Sequence, residues 1–291
     1  MNNVMTDRPA QIDLHLHTTV SDGTDTPPEL LEKVKEAGIS AFSVTDHDAV
    51  KAAGMIKEQL SHDSPRFIPG AEFSCRDSNG KYHILGYGFD PESAPIRALI
   101  DHGHGIRMKK IVIRIELLKT EFGISFSAED VETLLSLDNP GKPHIGNLMV
   151  KYGYAKTKEQ AIKEFINKIR VKSEYISPEE AIHGIIDGGG IPVLAHPFYG
   201  SGDELILGDE MRGRLSRLVG YGLRGIEAFY SGFSDKLRQE AISFADEFGL
   251  FITAGSDYHG TNKMVRLGDT GLEDVTEYPE GLKRFLEMFE K

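Results

Sequence analysis

Each strongly apolar, strand-like run of this 291-residue chain stops at, or carries, a histidine, aspartate or glutamate near one end. His15 and His17 alternate within "QIDLHLH", and Asp22 follows in the next turn. His47 follows "AFSVT", flanked by Asp46 and Asp48; Glu72 lies in "IPGAEFS" and His83 in "YHILGYG". His196 ends "IPVLA", and Asp257 and His259 end "LFITAGS". Successive side chains of a strand point to opposite faces, so His15 and His17 present two imidazoles side by side. Imidazole and carboxylate groups beside buried strands are costly unless they are paired or hold a metal. The chain must therefore fold so that these ends meet.

Between these runs the sequence reads as helix. "TPPELLEKVKEAG" carries a Thr26/Glu29 capping box, Pro28 in the first turn and a Gly38 stop. "SPEEAIHGIIDGGG" predicts a second box from Ser177 to Glu180. Residues 95–177 show little strand signal and predict helices joined by short polar segments. The expected architecture is an α/β barrel or sheet from residues 1–94 and 178–291, interrupted by a helical insertion over 95–177. In such folds functional groups gather at the carboxyl edge of the strands.

The His, Asp and Glu at strand ends make nine potential ligands: His15, His17, Asp22, Glu72, His47, His83, His196, Asp257 and His259. Nine exceed the three or four protein ligands of a single zinc site and suit two or three divalent ions, with at least one carboxylate bridging. Without a cysteine among them, Zn²⁺, Mn²⁺ and Fe²⁺ are the candidates. The lone cysteine, Cys75, excludes an intrachain disulfide and reads as a small buried filler. No apolar run approaches the roughly 20 residues of a membrane span. "MNNVMTDRPAQ" lacks the layout of a secretory signal. The expected location is the cytoplasm. A formal net charge of −12 argues against coating long nucleic acids, while leaving a small anionic substrate open.

The pieces "DLHLHT" with "SDG", "TDHD", "PGAEFS", "YHILGYG", "LAHP" and "GSDYHG" resemble, in order, the motifs of the PHP (polymerase and histidinol phosphatase) phosphoesterases. The resemblance spans about residues 11–260. It implies a distorted (β/α)₇ barrel with a multinuclear metal cluster at the carboxyl ends of the strands. It places His15, His17, Glu72 and Asp257 around one ion, and has Glu72 bridge to a second held with His83 and His196. Asp22, His47 and His259 would hold a third.

The helical insertion resembles that of the subgroup acting on nucleotides and short RNA ends, whose R-P-H-I segment reads "GKPHIG" here. Lys142 and His144, beside a proline-fixed turn, are thereby implied to contact a substrate phosphate. Lys for Arg replaces a bidentate fork with a point charge.

The implied reaction is hydrolysis of a phosphomonoester by a water activated between two ions roughly 3.5–4 Å apart. His47 or Asp46 is the candidate proton donor to the leaving group. The expected substrate is the 3′-phosphate of a nucleoside 3′,5′-bisphosphate, or the end of a very short oligonucleotide. Tyr87, Phe198, Tyr199 and Tyr258 are candidates to stack on a base. Histidinol phosphate phosphatase is the nearest rival, opposed by the helical block. A metal-dependent amidohydrolase shares the opening His-x-His but neither Asp22 nor "TDHD". A non-catalytic metal- or nucleotide-binding regulatory domain would not need the full ligand set.

Overall fold

A computed structural model of the chain describes residues 10–137, 139–171, 174–199 and 205–290. The N-terminal stretch read above for a signal falls mostly outside these residues.

Two sheets form the frame. In the first, β1 (Ile12–Leu16), β2 (Ala41–Val44) and β3 (Arg66–Phe67) run parallel. The second has the order β4 (Gly70–Asp77), β5 (Gly80–Tyr87), β6 (Ile191–Leu194), β7 (Gly225–Tyr230) and β8 (Phe251–Gly255). Here β5 runs antiparallel to both β4 and β6, whereas β6, β7 and β8 are parallel. The strand-like run that carries "IPGAEFS" divides at Pro69: the residues before it form β3 and those after it β4, in different sheets. Proline has no N–H to give to a ladder.

Two backbone seams stitch the sheets together. At one, the His17 N–H donates to the Tyr258 carbonyl and the Asp257 N–H to the His15 carbonyl, both at 2.9 Å. At the other, the Asp48 N–H donates to the Glu72 carbonyl at 2.9 Å and the Glu72 N–H to that of Asp46 at 3.2 Å. Each seam consists of predicted site residues or their immediate neighbours.

The helices are α1 (Pro27–Glu36), α2 (Lys51–Lys57), α3 (Ala94–Phe122), α4 (Ala128–Leu135), α5 (Lys142–Lys151), α6 (Lys158–Ala161, continued by a π-turn through Ile166), α7 (Pro178–Asp187), α8 (Gly208–Gly220), α9 (Asp235–Phe248) and α10 (Glu280–Glu287). The Thr26/Glu29 box forms on both sides. The Ser177 box is half formed: Ser177 Oγ accepts from the Glu180 N–H at 3.0 Å, but Glu180 Oε1 turns to His102 Nδ1 at 2.7 Å. "GKPHIG" is not a free turn, since Lys142 to Gly146 begin α5 and Pro143 occupies the first turn, where a missing N–H is tolerated. None of these helices is long and apolar enough to cross a membrane.

The main core lies between the sheets and their covering helices, and a second cluster lies under α1 and α2. A third, including Ile111, Leu118, Leu134, Ile145, Met149 and Ile166, fills the helical block. The long helix α3 belongs to both ends of this arrangement. Its Ile96, Leu99 and Ile106 sit in the main core, while Ile111 and Leu118 sit in the helical one.

Candidate metal centre

One carboxylate lies at the centre of the predicted ligands. Glu72 Oε2 is 3.3 Å from His15 Nε2, 3.3 Å from His17 Nε2 and 3.0 Å from His47 Nδ1. Its Oε1 is 2.7 Å from His83 Nδ1 and 3.2 Å from His196 Nε2. Asp257 Oδ1 lies 3.4 Å from both His17 Nε2 and His259 Nδ1, and 3.7 Å from His15 Nε2. Asp22 Oδ1 lies 3.2 Å from His259 Nε2, with His17 Nδ1 at 3.8 Å and His47 Nε2 at 3.9 Å. All nine residues named from the sequence thus meet in one place.

They reach it from different depths. His196 and Asp257 follow the ends of β6 and β8, and both adopt left-handed backbone, φ 26° and 58°. Non-glycine residues hold such conformations at a cost, typically where the surroundings demand them. Glu72 and His83 lie instead within the β4–β5 hairpin, which extends past the ends of its neighbours. Because β5 is antiparallel, His83 near its start comes level with the end of β6.

The donor atoms fit divalent cations. His15 Nε2, His17 Nε2, His47 Nδ1, His83 Nδ1 and Glu72 Oε2 are all buried without a hydrogen-bond partner. Buried polar atoms are nearly always satisfied, so several converging orphans mark a place where something else binds. Three groups have ligand atoms within 4.8 Å of one another: His15, His17 and Asp257; His17, Asp22, His47 and His259; and His47, Glu72 and His83. Imidazole and carboxylate without thiolate suit Zn²⁺, Mn²⁺ or Fe²⁺.

Without ions, the three carboxylates and the imidazoles of His15 and His17 hold one another charged, whereas burial pushes His47 well below the ordinary imidazole value. Burial alone would raise the carboxyls, but the surrounding imidazoles keep Asp22, Glu72 and Asp257 well below the usual range. Burial would likewise lower His17, yet Asp257 and Glu72 raise it from 6.5 to about 9. A metal must displace that proton. Metal affinity is therefore expected to strengthen as pH rises from 6.5 to about 9, with proton release measurable by calorimetry in buffers of different ionisation enthalpy. Affinity independent of pH across that window would contradict His17 ligation. The metal-free fold should show the opposite trend. A raised imidazole stabilises fully below 6.5, and that contribution is lost as pH passes through about 9.

Glu227 completes the cluster and was not among the residues predicted. Its Oε1 lies 2.9 Å from His15 Nδ1, and its Oε2 accepts from the His196 N–H at 2.7 Å. It thereby fixes the His15 tautomer that presents Nε2 to the centre. The sequence signal was a single glutamate inside the apolar run "LRGIEAFY". Glu227→Gln should lower metal affinity or activity about 10- to 100-fold, read by metal titration and steady-state kinetics. Gly255 shares this corner: a Cβ there would lie 2.2 Å from His15 Cβ and 2.5 Å from Glu227 Oε1.

Other predicted residues lie around the cluster. Asp46 is buried, and its oxygens accept from the Thr18 N–H (2.8 Å), Thr18 Oγ1 (2.6 Å) and Ser21 Oγ (2.6 Å). Lys142 donates to Asn167 Oδ1 at 2.7 Å and lines a cavity beside the cluster. His144 Nδ1 accepts from the Gly141 N–H at 2.9 Å, and its ring lines a separate groove on the helical block. Among the aromatic candidates, Tyr87 and Phe198 are fully buried, and Tyr258 is bonded to Asp25 and Lys33. Only Tyr199 of the four lines a cavity at the cluster. Cys75 is buried, with its thiol on the Phe73 carbonyl.

Two cavities open from the centre. One, about 500 Å³, is walled by the ligands themselves together with Tyr199, Tyr230 and Lys263. The other, about 290 Å³, runs from His47 and His83 beneath α3 and α5 and is ringed by Lys81, Arg107, Lys110, Arg114 and Lys142. Arg107 is paired with Asp48 at 2.5 Å. Burial and neighbouring cations bring Lys110 down to about 7 and Lys142 to about 8.

Residues 13–170, more than half of the chain, match the family profile of the PHP domain. The chain belongs to the PHP family. Membership makes it a metal-dependent phosphoesterase, and the clusters above are able to hold its metal. Three curated relatives resemble this PHP protein over nearly their whole lengths. A 5′-3′ exoribonuclease of Haemophilus influenzae is 27% identical, over 88% of this chain and 92% of the relative. A phosphoribosyl 1,2-cyclic phosphate 1,2-diphosphodiesterase of Eggerthella lenta is 28% identical over 85% and 94%. A 3′,5′-nucleoside bisphosphate phosphatase of Chromobacterium violaceum is 26% identical over 88% and 90%.

Proposed function

We propose that this PHP protein hydrolyses the 3′-phosphate of nucleoside 3′,5′-bisphosphates, or trims the ends of very short oligonucleotides. The observation that carries this reading is the cationic cavity. An anionic chain, net −12, has gathered Lys81, Lys110, Arg114 and Lys142 around a pocket contiguous with the ligand cluster. Their mutual repulsion and desolvation are relieved by an anion. A substrate with one phosphate at the cluster and another in this cavity supplies it. The bisphosphatase and exoribonuclease among the relatives act on substrates of that kind by name.

The nine-residue set would hold two or three divalent ions, and such ions neutralise phosphoryl oxygens and acidify water. The chain's own residues orient the substrate. Lys142 and its neighbours take the second phosphate, and the helical block excludes water. Of the two candidate proton donors His47 lines both cavities, but burial holds its pKa well below the ordinary imidazole value and its nitrogens belong to the ligand set, so the leaving oxygen is better served by a metal than by this imidazole. Asp46, with its oxygens committed to Thr18 and Ser21, positions the loop after β1. We read the two sheets as arcs of one distorted (β/α)₇ barrel, and residues 95–177 as an insertion covering the site. Arg107 with Asp48, and Asn139 with the His47 carbonyl, support that covering role.

The test is phosphate release by Mn²⁺-loaded protein from adenosine 3′,5′-bisphosphate, beside histidinol phosphate and an aryl phosphate. Strong preference for the bisphosphate is expected. Preference for histidinol phosphate would replace the reading with the biosynthetic one. Arg114→Ala should raise KM for the bisphosphate about tenfold or more by losing a charged hydrogen bond, and leave that for the aryl phosphate unchanged. An equal effect on both would remove the second-phosphate assignment.

A further inference from the structure

The ligand cluster uses one oxygen of Asp257 and leaves the other facing elsewhere. Oδ1 faces the imidazoles of His15, His17 and His259. Oδ2 accepts from the Tyr230 hydroxyl at 3.0 Å and is paired with Lys263 Nζ. Lys263 Nζ also donates to the Tyr230 oxygen at 3.1 Å. An ammonium carries three N–H donors, so this triangle engages two. Lys263 is 36% exposed, and the surface it shows forms part of the wall of the larger cavity, beside Glu72, His83 and His196.

Its placement is fixed from both sides. The loop begins at His259, itself in the cluster, and Asn262 Nδ2 donates to the Asp22 carbonyl at 2.7 Å. From the helical block, Lys158 Nζ donates to Asn262 Oδ1 at 2.6 Å. The ammonium also lies 5.5 Å from the centroid of the Tyr230 ring. A lysine held this way has surrendered its rotamer freedom before any ligand arrives, so a further hydrogen bond costs little ordering. Neutralising Asp257 requires one N–H and no exposure; the geometry provides more.

We propose that Lys263 contacts the substrate, donating its third N–H to a non-bridging oxygen of the phosphoryl group seated at the metal centre. This rests on the phosphoesterase assignment but not on which ester is cleaved. Phosphate oxygens are strong acceptors for a cation, and the contact adds a fixed positive charge in the larger cavity to those that Lys142 and its neighbours supply in the second.

Inorganic phosphate, the product of phosphomonoester hydrolysis, is the probe. Its affinity is measured by calorimetry for metal-loaded wild type, Lys263→Ala, Lys263→Met and Lys263→Arg, with bound metal counted by elemental analysis. The expected result is a loss of about tenfold to a hundredfold in phosphate affinity for Ala and Met. Metal content should be unchanged, and Arg should retain most of the affinity. Wild-type phosphate affinity in metal-replete Lys263→Ala would overturn the proposal. So would parallel loss of metal and phosphate in both truncated variants, because Lys263 would then act only through Asp257. If the wild type cleaves no bisphosphate yet loses phosphate affinity with Lys263, the nucleotide reading fails and this one stands.

Discussion

Glu72→Gln is expected to abolish turnover, lowering kcat by at least about a thousandfold. Electrostatic stabilisation of a phosphoryl group by metals is worth several kcal/mol, and each 1.36 kcal/mol is a factor of ten. Glu72 is 1% exposed and lies within 3.3 Å of five imidazoles through its two oxygens. An amide keeps the shape but loses the charge that draws cations together, and turns an N–H₂ toward nitrogens that need an acceptor or a metal. Elemental analysis should show fewer bound ions per chain, with the circular dichroism spectrum of the wild type retained. Asp257→Asn should also silence the enzyme while leaving the fold mostly intact. Undiminished phosphate release from either variant would remove these residues from the ligand set.

Chelation is expected to stop the reaction and lower the melting temperature by roughly 10 °C without unfolding the protein at room temperature. An ion present at a thousand times its dissociation constant stabilises the native state by about 4 kcal/mol. For a chain of this size each kcal/mol corresponds to roughly 2–4 °C. The fold should survive because the cluster has its own substitute: Asp22, Glu72 and Asp257 stay ionised against protonated His15 and His17. Thermal melts with chelator, then with Mn²⁺ restored, read both effects. An unchanged melting temperature after proven metal loss would show that ions do not bind the native state preferentially.

The metal-centre residues were legible because each violates its surroundings: an imidazole or carboxylate in an apolar run needs a reason that a single sequence can reveal. Glu227 obeys the same rule and was passed over because it sits mid-strand, where a lone glutamate reads as a surface position; all six residues of β7 are buried. Lys263 could not be found that way, since a lysine in a polar loop is unremarkable until the fold sets it against Asp257. The cations on α3 were hidden for a related reason. Arg107, Lys110 and Arg114 recur at helical spacing, as a solvated helix face does, and only the packing of α5 and the β4–β5 hairpin encloses them. In sequence the α5 segment resembles a turn, because Pro143 breaks a helix everywhere except its first turn. The antiparallel setting of β5 depends on long-range pairing that periodicity does not encode.

The double membership of α3 has a consequence for how such a protein can change over generations. Leu99 rests against Gly184 and Ile96 against Gly188, so both α7 and the turn after it are shaped for the first half of that helix. Removing the block at residue 95 would strip the main core of part of its cover and leave Ile182 and Ile185 facing water. The helical block is therefore not an exchangeable module. New specificities are easier to reach by altering the far half of α3, beyond Ile106, where side chains meet the cavity and the inherited seam with α7 is left undisturbed.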